Sequence, residues 1–336
     1  MNLSLTFDIP AGAYVDLPLV YAVGDSPLTI NWGDGSVNAI RSHTYAADGR
    51  YTVQVSPTVG LTGFGAQNWT GANYLISLNS WGTVSRTFTN LDYAFNGATN
   101  LISVPPTIPR GITSMNSMFY NASSFNGDIS RWNTSKVQNM NSMFYGATIF
   151  NGYIGAWDTS NVQNMNSMFL NASIFNSDIS RWNTSKVSDM YGIFAGARNF
   201  NQPIGAWNTS NVLSMSWMFN IATMFNQPIG AWDTSNVNYM SSMFNGATSF
   251  NQPIGAWNTS KVLSMSYMFY SATSFNQPIG AWDTSNVRDM RGMFSGMFSG
   301  DYQKFSSYNM KITINGWNKK VRLTTPSSAF EFPFPP

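Results

Sequence analysis

Methionine stands at positions 115, 140, 165, 190, 215, 240, 265 and 290, a step of 25 residues without slippage. Tryptophan keeps the same step from Trp132 to Trp282. Phenylalanine keeps it twice, from Phe119 to Phe294 and from Phe125 to Phe275. Register held over this many copies restricts the chain to a repeat architecture, in which each unit is one layer of a stack. A module this short cannot bury its apolar side alone, so its stability comes from the modules above and below it.

Two patterns alternate within a module. Val137, Met140, Met143, Phe144 and Ala147 lie at offsets 0, 3, 6, 7 and 10, an apolar stripe of helical period. Asn133, Thr134 and Ser135 supply N-cap residues before it, and Gly146 serves as its terminator. The other half, Phe125 to Trp132, is too short and punctuated for a helix and reads as extended. Prolines 203, 228, 253 and 278 form a column there, which makes that column a corner or strand start, because proline cannot donate to a ladder. The expected fold class is therefore α+β. A solenoid of 25-residue leucine-rich-repeat-type rungs, each a short helix plus an extended segment, follows a small β-sandwich.

The asparagines at 126, 151, 176, 201, 226, 251 and 276 form an unbroken column. In a stack they become a ladder of amides that satisfies polar groups from rung to rung. A ligand-binding asparagine row is the alternative. After each Trp, NTSK at 133, 183 and 258 alternates with DTSN at 158, 233 and 283, with NTSN at 208, which suggests growth by two-module duplication.

The boundaries follow from where the pattern begins and ends. Residues 1–60 hold LSLTFDI, YVDLPLV, LTINW and YTVQVS, short strand-like runs with a Gly33-Asp34-Gly35 turn between two of them. Residues 61–114 are an irregular N-terminal cap in which LDYAF, 91–95, is a degenerate copy of MNSMF, 115–119. The regular array occupies 115–300. Residues 301–336 form a C-terminal β cap, with MKITI and KVRLTT as strands, and a tail whose Phe330, Phe332 and Phe334 alternate with Glu and Pro.

Composition bounds the function. Net charge is +2, and only 10% of residues are charged against roughly 25% in ordinary soluble domains. That leaves no footprint for nucleic acid. A weakly charged polar surface offers little protection against association, which fits life in an assembly. There is no cysteine, hence no disulfide or thiolate metal site. MNLSLTFDIPAG has no basic region and an early Asp8, so no secretory signal is expected, and no apolar run is long enough for a transmembrane segment.

The repeat FNxxIxxWxTSxVxxMxxMFxxA, carried by Phe125-Asn126, Trp132, Thr134-Ser135, Val137, Met140 and Met143-Phe144, resembles the BspA-like leucine-rich repeat surface proteins over about residues 88–300. NWGDGS at 31–36 and SHTYAADGRYTVQVS at 42–56 are similar to a PKD-like β-sandwich domain. The resemblance implies a surface, adhesion or interaction protein of bacteria, protists or large DNA viruses, and not an enzyme.

Chemistry has little to work with. His43 is the one histidine and Glu331 the one glutamate. His43 is expected to brace the WGDG turn, and Asp34 to be a turn residue. Asp158, Asp233 and Asp283 share their column with Asn, which fits capping better than calcium binding. No catalytic residue, cofactor or metal is expected. Columns that vary from rung to rung should face outward, and aromatics there are the candidate partner contacts: Tyr120, Tyr145, Trp217, Tyr239, Tyr267 and Tyr270, with Phe330, Phe332 and Phe334 in the tail. The expected role is protein–protein interaction or scaffolding, as a structural or surface component of a virus particle (a minor capsid or decoration protein) or of a cell surface. The expected partners are other structural or surface proteins, with no nucleic acid and no membrane insertion. The alternative is an adhesin or carbohydrate-binding module that recognises host-surface glycans.

Overall fold

A computed structural model describes residues 1–21, 28–84 and 88–297. Its N-terminal part contains nine strands: β1 (Leu3–Ile9), β2 (Tyr14–Asp16), β3 (Leu19–Tyr21), β4 (Thr29–Asn31), β5 (Val37–Asn38), β6 (Ser42–Thr44), β7 (Gly49–Ser56), β8 (Leu61–Phe64) and β9 (Leu75–Trp81). Alternation drives the longest of them. Leu3, Leu5, Phe7 and Ile9 of β1 point into the core, while Ser4, Thr6 and Asp8 point away from it. A five-stranded antiparallel sheet runs β5-β4-β7-β1-β9, and β2-β6 and β3-β8 form two-stranded sheets. The edge strand β9 comes from residues 75–81, within the segment expected to be an irregular cap.

The expected short helix in each rung is absent. Among the described residues there is no α-helix, only a 3-10 turn at Ala72–Tyr74, so the α+β leucine-rich-repeat solenoid is corrected to a structure built from strands, bridges and turns. The stretch read as helical shows why. Met143, Tyr145 and Ala147 donate their amides to Met140, Ser142 and Phe144, three residues back. The intervening amides of Met140, Ser142, Phe144 and Gly146 leave the rung and donate to Asn164, Asn166, Met168 and Leu170 of the next. An α-helix would direct all of them inward along its own axis.

Ser142 (φ 52°) and Gly146 (φ 67°) are left-handed, a conformation that cannot propagate a right-handed helix. Successive three-residue turns space the apolar side chains much as a helix does, which explains the misleading stripe. Gly146, expected as a terminator, is instead one of the two left-handed positions that recur in each rung.

The rungs stack in parallel. Ser114, Asn139, Asn164, Asp189, Ser214, Tyr239, Ser264 and Asp289 form one unbroken column of parallel bridges. The column continues backward through Asn90 to Gly63 of β8, so the first layer of the stack is a strand of the N-terminal region. The other edge of β8 is taken by β3, which closes that end. One apolar core runs from Leu3 to Met297.

Inside the stack, Phe119, Phe144, Phe169, Phe194, Phe219, Phe244 and Phe269 follow one another at centroid spacings of 5.4 to 5.8 Å. Each rung also hooks its neighbour through buried polar groups. The indole N–H of Trp157 donates to the Ile129 carbonyl at 3.1 Å, and Trp182, Trp207, Trp232, Trp257 and Trp282 repeat the bond one rung on. Thr134, Thr159, Thr184, Thr209, Thr234 and Thr259 donate their buried hydroxyls to the backbone carbonyl 24 residues later. Thr284, at the end of the described stack, has no acceptor among the described residues.

The asparagine column is a ladder of side chain to backbone bonds. The Asn151 amide N–H donates to Asn126 Oδ1 at 2.9 Å, and the bond recurs up to Asn276 on Asn251. No helix among the described residues is long and apolar enough to cross a membrane.

Candidate interaction surface

The outward columns flank the inward methionine column, and the first of them is the bridge column itself. Met140 points inward, so Asn139 and Asn141 on either side point out, and the left-handed Ser142 turns the chain at the rim. These columns are where sequence varies between rungs. The second one reads Asn116, Asn141, Asn166, Tyr191, Ser216, Ser241, Ser266 and Arg291. The rim column reads Ser117, Ser142, Ser167, Gly192, Trp217, Ser242, Tyr267 and Gly292, and every one of them has positive φ.

The candidate aromatics separate into two groups. Tyr120 and Tyr145 stack on each other at 4.4 Å and are half-buried. Burial raises the pKa of the Tyr120 hydroxyl, and the neighbouring Tyr145 raises it further. Trp217, Tyr239, Tyr267 and Tyr270 are exposed, Trp217 by 42% and Tyr239 by 47%. Tyr267 and Tyr270 meet edge to face at 6.0 Å. Phe330, Phe332 and Phe334, with the expected C-terminal strands, lie outside the described residues.

Sequence reasoning missed Tyr191, which is exposed and stacks on Trp217 at 6.4 Å with the rings inclined by 29°. Its column changes there from Asn116, Asn141 and Asn166 to Ser216, Ser241 and Ser266, so Tyr191 breaks no uniform run and the sequence carries little signal for it. Sequence reasoning also missed Ile221, exposed and left-handed (φ 56°) in a column otherwise held by Gly, Asn and Ser. A separate exposed column of Ile149, Ile174 and Met224 lies on the far side of the same turns.

The polar candidates are engaged in local structure. His43 Nε2 lies 2.7 Å from Asp34 Oδ2, and its ring stacks on Trp32 at 5.0 Å. Gly33 and Gly35 are both left-handed there, and Asp34 Oδ1 accepts the Ser36 N–H. Burial alone would raise the pKa of Asp34. The Ser36 N–H and His43 outweigh it and hold the carboxyl below its usual range. Tyr45, packed against His43, donates to the Trp32 carbonyl at 3.0 Å, and burial pushes its pKa up. These contacts tie the turn to β6.

Asp158, Asp233 and Asp283 each accept the N–H of the serine two residues on, as Asn133, Asn183, Asn208 and Asn258 do. They close turns of the Asx type in place of the expected helix N-caps. Among the described residues no group of three or more His, Asp or Glu side chains is placed to hold a metal.

No curated relative matches the chain. Residues 89–205 and again 192–308 match the family described as Mycoplasma protein of unknown function, DUF285. The two matches cover the run of stacked rungs and more than half of the sequence, and on that ground the chain belongs to the DUF285 family.

Proposed function

We propose that the chain is a non-enzymatic interaction and scaffolding protein, a structural or surface component of a virus particle or of a cell. The observation that carries this reading is the division of labour within each rung. Every inward column is spent on holding the stack together, through Phe and Trp stacking, indole bonds and threonine bonds. The outward columns are left free to differ, and they carry exposed aromatics of the kind that dominate protein contact surfaces. The resemblance to BspA-like surface proteins points the same way. In this reading the mechanism is geometric: a continuous core fixes the spacing of contact residues, and binding costs little ordering because the surface is already built.

Cross-linking of the native chain in its source, followed by identification of the linked peptides, tests it. The expected outcome is stable linkage, through the outward columns, to other structural or surface proteins. Recovery of the chain as a free monomer in the soluble fraction, with no cross-linked neighbour, would refute the reading.

A further inference from the structure

We infer that the rim of the rungs between Tyr191 and Tyr270 is a binding platform for a neutral, β-1,4-linked glycan chain. The proposal rests on the reading of the chain as an interaction scaffold and names the chemistry of one contact.

Backbone strain is the first ground. Trp217 (φ 63°) and Tyr267 (φ 55°) are left-handed at rim positions that the neighbouring rungs fill with Gly192, Ser242 and Gly292. A bulky residue at positive φ is an outlier, and such strain persists where function requires it. The core gains little in return, because Trp217 and Tyr267 remain exposed. Serine in the same column builds the rim without them.

Spacing is the second ground. Trp217 donates its amide to the Ser241 carbonyl and Ser242 donates to Ser266, so Trp217 and Tyr267 stand two rungs apart on one line. At ~4.8 Å per strand, their attachment points lie about 10 Å apart. In a β-1,4-linked pyranose chain each ring is turned over relative to the last. The same apolar face therefore returns every second ring, about twice the strand spacing further on. Ser242, small and buried, leaves the intervening ring room. Tyr191, one rung before Trp217, stacks on the indole and braces it.

Charge is the third ground. Between Asp189 and Asp289 the two outward columns hold Ser214, Ser216, Tyr239, Ser241, Ser264 and Ser266, with no charged side chain. Ser241 and Ser264 hydroxyls lie 2.7 Å apart. Hydroxyl groups between flat aromatic rings suit an uncharged polyol, whereas an acidic polymer would need cations, which this stretch lacks; Arg291, one rung beyond Tyr267, is paired with Asp289.

The test uses the full chain with cellohexaose, chitohexaose and xylohexaose as probes and maltohexaose, an α-1,4-linked chain that coils, as the control. Trp217 is the one tryptophan more than a tenth exposed among the described residues, and the part of the acrylamide quenching that disappears in Trp217→Ser reports on it. At least one β-1,4-linked probe should shift emission to the blue and reduce quenching about twofold. Trp217→Ser and Tyr267→Ser should each weaken that binding at least tenfold, with a melting temperature equal to or above that of the parent. No binding of any β-1,4-linked probe at millimolar concentration, equal binding of maltohexaose, or unchanged affinity in both variants would overturn the proposal. So would protection of Trp217 only within the native assembly, which would assign the platform to a protein neighbour and leave the scaffolding role standing. Loss of the cross-linked neighbours, by contrast, would sink the scaffolding role itself.

Discussion

Replacement of Trp207 by alanine tests the stack most directly. Trp207 is 3% exposed, lies 5.9 Å from Phe194 and 6.4 Å from Trp182 by ring centroids, and donates its indole N–H to the Ile179 carbonyl at 3.2 Å. Removing the ring costs the lost transfer free energy and leaves a cavity between two rungs, together about 3–5 kcal/mol. The Ile179 carbonyl loses one of its two donors and keeps the Trp182 N–H, so the missing indole bond adds no more than about 1 kcal/mol. Unfolding entropy of ~2.1 cal/mol/K per residue over 336 residues gives about 0.7 kcal/mol/K, so a loss of 4 kcal/mol lowers the melting temperature by roughly 6 °C.

Trp207→Phe separates the contributions. It keeps most of the stacking area, loses the indole bond, and should fall about midway. Urea unfolding followed by circular dichroism, with the m-value checked for constancy, measures both variants. A Trp207→Ala chain within 1 kcal/mol of the parent would refute the account of indole and ring as inter-rung clamps.

Three further outcomes follow from the geometry. Gly65→Ala should lower stability by about 2–4 kcal/mol, because Gly65 sits at φ 139°, essentially open to glycine alone, and its added Cβ would strike the Asp92 carbonyl; chemical denaturation measures it. Thr234→Val should cost about 1 kcal/mol by the same assay, since Thr234 is buried and its hydroxyl serves the Asn258 carbonyl. The Ser160 and Ser235 hydroxyls, and then their N–H groups, hold the pKa values of Asp158 and Asp233 below the usual carboxylate range, and Ser285 does the same for Asp283. A depressed folded pKa contributes stability that is complete above the unfolded value of about 3.9 and disappears as pH falls through the lower folded value. A variant with all three changed to Asn should therefore melt like the parent at neutral pH and lose less stability in that acid window. Equal acid sensitivity would remove these turns from the linkage.

The stack and its core were legible because the 25-residue columns name the buried side chains directly: Phe119, Met140, Trp157 and their equivalents are in the core, with Phe294 at the end of its column packed against it. The internal geometry of each rung was not. Apolar spacing of three and four fits a helix, and it fits consecutive three-residue turns equally well. The distinguishing mark was the Ser, Gly and Asn at the two left-handed columns, such as Ser142 and Gly146, and a single glycine there imitates a helix end. Strand β9 carried little signal because its partner β1 lies about 70 residues away, and nothing local in LISLNSW announces that pairing. On the surface, Trp217 and Tyr267 stood out against a serine column. Tyr191 did not, because its importance comes from lying beside Trp217 across a rung boundary.

The bonds between rungs have one further consequence. Each layer presents to its successor the same carbonyls, indoles and side-chain amides that it receives from its predecessor, so nothing within the array defines how many layers it should contain. Gene duplication or loss of one 25-residue segment would lengthen or shorten the molecule by about 5 Å without disturbing the joints on either side. Such a chain works as an adjustable ruler, whose length can be reset by recombination while the groups at its two ends stay unchanged.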